Sequence, residues 1–186
     1  DISIDLLGEI YEYFLGNFAL QEGKDGGAFY TPATVVRYMV EIIKPEIGNK
    51  LFLDPACGSG GMFVQAARYM HRHNATAEDM MKFMCYGVEK EPDTVKLAKM
   101  NLAIRGIDAD LGQYNADTFF NDCHPTMRAD FIMANPPFNL SNWGQDKLLD
   151  DVRWKYGVPP EGNANYAWIL NMISKLNQNG VGALLL

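Results

Sequence analysis

No apolar run in this 186-residue chain is long enough to span a membrane, so a membrane-embedded role is not expected. Cysteine is scarce: Cys57, Cys85 and Cys123 are the only three, and no two are closely spaced. That argues against a disulfide framework or a zinc site and fits reduced, cytosolic residues. Histidine is equally sparse, at three. His71 and His73 are two apart and so face different sides of a helix, where they cannot share a metal. There is no internal repeat, no low-complexity stretch and no signal peptide. Positive charge is also short: sixteen basic residues face twenty-three acidic ones, a net charge of −7. A chain that grips nucleic acid unaided normally carries a basic face, so autonomous tight DNA binding is not expected. A site delivered to DNA by a partner remains open. What is present suits one α/β domain with a real core, since 48% of the residues are hydrophobic. The chain starts at Asp1 without a methionine and stops within an apparent strand at Gly182–Leu186. Both ends therefore read as cut from a longer protein.

The stretch from Leu51 to Gly61 organises the rest. Leu51–Leu53 reads as a buried strand that stops at Asp54-Pro55. Gly58, Ser59, Gly60 and Gly61 follow, and Met62, Phe63, Val64, Ala66 and Ala67 open a helical pattern running to about residue 73. A strand, a glycine turn and a helix make the nucleotide-site geometry of doubly wound sheets. Glycine lets a ligand approach the backbone closely. The helix start leaves N–H groups without intrahelical partners. The Walker ending is absent, and Asp54 at the turn mouth suits an ammonium or hydroxyl better than a pyrophosphate. A tight turn with no ligand is the plain alternative.

Along the chain, apolar residues from Leu7 to Phe18 predict a helix over 3–18, whose stripe should pack either on the main domain or on a missing N-terminal helical region. A polar loop follows over 21–27. In Phe29-Tyr30-Thr31-Pro32, Thr31 reads as an N-cap and Pro32 as the first helical residue. Val35, Val36, Met39, Val40 and Ile43 form that helix's apolar face, and Pro45 ends it. Strands are predicted over 82–88, 112–116, 129–134 and 181–186, with helices over 92–105 and 163–177 between them. Glu89 ends the second strand, where ribose hydroxyls are bound in this geometry. Asp117 follows the weak third strand and could equally be a turn aspartate, while Phe119 and Phe120 could flank a ring or fill core. The 139–162 segment, with Trp143, Trp154 and Tyr156 among charges of both signs, reads as a lid or a subunit contact. Strands alternating with helices give a mostly parallel, right-handed crossover sheet with helices on both faces.

The fourth strand runs into Asn135-Pro136-Pro137-Phe138. An exocyclic amine of a base is a poor nucleophile because its lone pair is spread into the ring. Two acceptors aimed at its N–H bonds localise that pair. The Asn135 side-chain oxygen and the Pro136 carbonyl are candidates, and successive prolines hold the backbone rigid. Phe138 offers a flat face for a flipped-out base. Catalysis of this kind is mostly positioning and needs no histidine base.

Asp-Pro-x-Cys-Gly-Ser-Gly resembles the first motif of S-adenosylmethionine-dependent methyltransferases. The whole set resembles amino-group DNA methyltransferases of the adenine type, nearest to the modification subunit of type I restriction–modification systems. The resemblance extends over roughly residues 27–186 and includes Arg153–Gly157 and Asn163–Trp168. It implies a Rossmann-like class I fold that lacks its last strands here. It divides the chain into an N-terminal helical segment, 1–26, and a catalytic domain, 27–186. It also implies that Phe29-Tyr30-Thr31-Pro32 lines the methionine end of S-adenosyl-L-methionine and that Asp117 takes the cofactor's adenine amino group. The expected partners are DNA held through a specificity subunit, and a restriction subunit, in a cytoplasmic hetero-oligomer. Two rivals remain: an Asn-Pro-Pro enzyme acting on an RNA guanine or a protein glutamine, and a non-catalytic cofactor-binding subunit.

Overall fold

The computed structural model describes residues 2–22 and 31–186, with side-chain surroundings for residues 6–17 and 31–186. Phe29, Tyr30 and most of the 21–27 loop lie outside the described residues. Five strands form one sheet: β1 Lys50–Asp54, β2 Phe83–Gly87, β3 Ala109–Asp110, β4 Ala129–Ala134 and β5 Leu176–Leu184. Their order is β3-β2-β1-β4-β5, and every pairing is parallel. The chain winds from β1 outward to β3 and then returns past β1 to β4. The gap between the ends of β1 and β4 is therefore a topological switch point, where open α/β sheets bind ligands.

The helices are α1 Ile2–Glu22, α2 Ala33–Ile43, α3 Gly61–Arg72, α4 Ala77–Lys82, α5 Pro92–Ile104 and α6 Asn165–Lys175. Alternation along the strands sends their side chains to two separate cores. Phe52, Cys85, Phe131 and Met133 pack with α2, α3 and α5, and Phe52 meets Phe63 edge to face at 5.3 Å. Leu53, Ile132 and Ala134 face the other way, against Met172 of α6. Helices thus cover both faces, as the alternating pattern predicts.

Several boundaries differ from the sequence reading. The third strand is Ala109–Asp110, not 112–116; Gly112 has φ +74°, a left-handed conformation that breaks the extended chain before residue 116. The fifth strand begins at Leu176, immediately after α6, and a register shift between Ala129 and Phe131 absorbs the Asn179-Gly180 turn signal. Helix α4 was not anticipated from periodicity, being six residues long. It is fixed instead by a capping box between Thr76 and Asp79. Helix α2 takes Pro32 as its N-cap and Ala33 as its first residue, so Thr31 does not cap it.

Two other expectations bear on tertiary packing. The α1 stripe stays largely on the surface, with Leu7 53% and Phe14 64% exposed, while Leu15 is buried. Helix α1 is held on α5 mainly through polar groups: the Tyr11 hydroxyl donates to the Leu97 carbonyl at 3.1 Å, and Arg105 donates to the Gly8 carbonyl. The 139–162 segment is a packed structural loop rather than a lid. Trp143 and Trp154 are buried with Phe119 and Trp168 in a third apolar cluster. Arg153 donates to the carbonyls of Thr118 (2.8 Å) and Phe119 (2.6 Å) and to Asp151. The two tryptophan N–H groups find the carbonyls of Pro160 and Leu148.

Candidate active site

The turn after β1 is tied back to the end of β2. The Val88 N–H donates to the Asp54 carbonyl (3.0 Å), and the Cys57 N–H donates to the Val88 carbonyl (2.9 Å). Gly58 and Gly60 have φ of +52° and +83°, which a side chain would strain. A Cβ at Gly58 or Gly61 would meet nothing within 4 Å, so the turn presents bare backbone to open space. Behind it, Gly60 lies against Leu102, and the buried Asn101 amide donates to the Ser59 carbonyl at 2.7 Å. Helix α5 therefore braces the turn from below, a role that no motif in the sequence signals.

Two carboxylates meet the turn. Asp54 is 1% exposed, and its Oδ1 accepts from the Ala56 N–H at 3.0 Å. Burial pushes its carboxyl up to about 8. Glu89 accepts from the N–H of Gly58 (3.0 Å) and of Glu91 (2.8 Å), and burial raises its carboxyl as well. Glu89 is thus part of the turn's own bracing as well as the acid at the end of β2. Asp117 lies beyond it. Its Oδ1 accepts from the Phe119 N–H at 2.9 Å, and its Oδ2 pairs with Lys90 at 3.1 Å. Those bonds are what a turn aspartate makes. Of the paired aromatics, Phe119 fills core and Phe120 is exposed.

Across the switch point, Pro136 is buried and all peptide bonds from β4 onward are trans, which leaves a rigid exit from the strand. The Asn135 side-chain N–H donates to the Thr31 hydroxyl at 2.6 Å. Its Oδ1 is buried and has no hydrogen-bond partner among the described residues. A buried acceptor without a partner costs about 1–3 kcal/mol, so such a group in a native site points to a ligand that supplies the missing donor. The hydrogen bond to Thr31 fixes which way that acceptor faces. Of the residues singled out from sequence, Thr31, Ser59, Glu89 and Asn135 are joined through hydrogen bonds to the turn or to each other. Pro137 and Phe138 are half-buried beside them. His124 is tucked between the carbonyls of Gly87 and Asp110, far from any catalytic use. Among the described residues no cluster of His, Cys, Asp or Glu could hold a metal, and no helix is long and apolar enough to cross a membrane.

Comparison with known proteins agrees with this architecture, which is the fold of class I S-adenosylmethionine-dependent methyltransferases. The family model for N-6 DNA Methylase matches residues 2–186. The methylase subunit of type I restriction enzyme HindI from Haemophilus influenzae is 50% identical over 182 residues, covering 98% of this chain and 40% of that protein. The MjaIX methylase subunit from Methanocaldococcus jannaschii is 42% identical, covering 95% of this chain and 31% of its own length. Among solved structures, the methyltransferase subunit of a type I restriction-modification system from Streptococcus thermophilus superposes with a TM-score of 0.80 at 29% identity, over 97% of this chain and 38% of that one. The chain thus spans well under half the length of these relatives.

Proposed function

The chain belongs to the N-6 DNA methylase family, and from that membership we propose that it methylates the exocyclic N6 amine of a flipped-out adenine in DNA. In this reading it is the catalytic part of a type I modification subunit, with residues 27–186 as the methyltransferase unit and 1–26 as an N-terminal segment. The observation that carries the proposal is the buried Oδ1 of Asn135, which has no partner among the described residues and is set in place by Thr31. An amine N–H is the donor this oxygen lacks. The Pro136 carbonyl, held by two prolines, is the second acceptor for the same amine. Drawing both N–H bonds into hydrogen bonds localises the nitrogen lone pair for in-line attack. Phe138 supplies the face on which the extruded base stacks.

S-adenosyl-L-methionine would supply an electrophilic methyl on a sulfonium. The glycine turn fits it, since Gly58, Ser59, Gly60 and Gly61 offer an open backbone cradle with Asp54 below and Glu89 at one side. Glu89 would take the ribose hydroxyls and Asp117 the adenine amino group, with Phe29, Tyr30, Thr31 and Pro32 at the methionine end. The relatives are named methylase subunits of type I restriction enzymes. By that likeness a specificity subunit would bring the DNA, a restriction subunit would join the hetero-oligomer, and the complex would work in the cytoplasm. The test is transfer of a labelled methyl group by the full-length protein with its specificity subunit, offered DNA, RNA and protein. N6-methyladenine in DNA supports the proposal; label only in RNA guanine or protein glutamine overturns it.

A further inference from the structure

The stretch Asn135 to Phe138 is tied down at both ends. Upstream, Asn135 bonds to Thr31. Downstream, the residue after Phe138 sits in a clasp of asparagine side chains. Asn139 has φ +56°, the left-handed region that asparagine tolerates better than most side chains. Its N–H donates to the Asn165 Oδ1 at 2.8 Å, and its own Oδ1 accepts from the Asn165 Nδ2 at 3.1 Å. One amide thus grips Asn139 at two points. The Asn163 Nδ2 donates to the same Asn139 Oδ1 at 3.0 Å. One residue further on, the Leu140 carbonyl accepts from the Ala164 N–H at 2.9 Å. Helix capping accounts for only one bond of the group, from the Asn165 N–H to the Asn163 Oδ1 at 2.8 Å. Asn165 opens α6, which is seated in the core through Ala167, Trp168, Leu170 and Met172. The clasp therefore joins the exit of the tetrapeptide to a rigid helix.

The rings of Pro136 and Pro137 fix their own φ. Phe138 is the first residue of the exit without that constraint, so its place depends on where the chain goes next. The left-handed turn at Asn139 sends the chain back toward α6, and the clasp holds that turn. Asn139 is exposed, so water competes for each of these bonds. The clasp works through their number and through the turn they enclose, not through any single one. We propose that Asn139 and Asn165 are positioning residues for the methyl transfer, holding Phe138 where the target base is received. The inference rests on the reading of Asn135 to Phe138 given above and adds two residues to it. It also gives the start of α6 a task beyond packing. Held between Thr31 and the clasp, the tetrapeptide is preorganised before the base arrives.

The experiment is steady-state methylation of duplex DNA by the full-length protein with its specificity subunit, at saturating cofactor, beside calorimetric titration with S-adenosylhomocysteine. Asn139→Ala and Asn165→Ala should each lower kcat about five- to tenfold and leave S-adenosylhomocysteine affinity within about twofold. Asn139→Asp keeps the acceptor and tolerates the left-handed turn, so it should stay within about threefold of wild type. The decisive comparison is Asn165→Ala made in a Phe138→Ala background. If the clasp acts through Phe138, the second substitution costs less than about twofold more. A further loss as large as in the wild-type background means that the clasp acts independently of Phe138, and overturns the inference. Loss of cofactor affinity in step with kcat overturns it too, since the variants then disturb the fold at large. An impaired Phe138→Ala beside an unimpaired Asn165→Ala sinks the inference while the reading of the tetrapeptide stands. Full activity in Phe138→Ala sinks that reading itself, and the inference with it.

Discussion

Asn135 and Thr31 lie 104 positions apart, yet the amide of one donates to the hydroxyl of the other at 2.6 Å. This bond joins the strand that leaves the sheet at β4 to the residue that precedes α2. It orients a buried oxygen that has no partner among the described residues, and so makes Thr31 a positioning residue for the proposed transfer.

Thr31→Val should lower kcat for DNA methylation at least tenfold, the scale of about 1–3 kcal/mol for a lost buried hydrogen bond. Thr31→Ser, which keeps the hydroxyl, should stay within a few-fold of wild type. A valine variant with unchanged kcat and a serine variant with a lowered one would contradict the positioning role. The comparison needs steady-state kinetics at saturating cofactor.

Asn135→Ala and Phe138→Ala should reduce methyl transfer by about 100-fold, as loss of a preorganised group in an active site does. Cofactor affinity, read by calorimetry, should change little, since both residues address the target base. Parallel loss of cofactor affinity would reassign them to the cofactor pocket.

Asp54 gives a pH-dependent stability with a definite sign. Its folded-state value is about 8 against an ordinary 3.8, because burial disfavours the charged form. Between those values the folded chain holds a proton that the unfolded chain releases. Stability therefore falls as pH rises through the window and levels off above it. Asp54→Asn keeps an oxygen for the Ala56 N–H and removes the titration. Its Tm in the absence of cofactor should exceed wild type at pH 8 and converge on it near pH 4. A constant difference across that range would show that Asp54 is not the cause. Glu89 is shifted in the same direction, so the variant should keep a residual slope.

Arg105 is the main anchor of α1. Its largely buried guanidinium donates to the Gly8 carbonyl and to the Asn101 side chain and pairs with Glu12. Arg105→Ala takes this donor from the Gly8 carbonyl and the Asn101 oxygen, leaves Glu12 with Arg68 alone, and should cost about 1–3 kcal/mol. Hydrogen exchange should show protection lost first in α1 and then at the glycine turn, which Asn101 braces. Uniform loss across the sheet would mean that α1 is not a separable unit.

The chain without partners should not methylate one DNA sequence selectively. It carries a net charge of −7, and the two tryptophans of its aromatic–basic segment are packed into the core rather than presented to a groove. Methylation of a mixed-sequence duplex by the purified chain at physiological salt, confined to a single site, would overturn this expectation.

Much of the architecture follows from the residues in order. Leu51–Asp54 with its glycine turn, and Ala129–Ala134 running into two prolines, are local patterns whose meaning depends on neighbours in sequence. Periodicity likewise separates the helices, and the strand–helix alternation dictates a parallel sheet. Other features have no local signal. β3 stops where Gly112 turns left-handed, and β5 begins where Leu176 finds Ala129 across the sheet. Trp143 and Trp154, polar-looking in a charged loop, become core because Phe119 and Trp168 arrive from elsewhere. The site divides in the same way. Asn135, Glu89 and the glycines are legible because each sits at a strand end, where backbone geometry already limits what a residue can do. Thr31's bond to Asn135, Asn101's brace under Ser59, and the clasp on Asn139 by Asn163 and Asn165 depend on where the helices pack. Contacts between residues tens of positions apart are set by how the sheet brings those helices together, and that information exists only once the chain has folded.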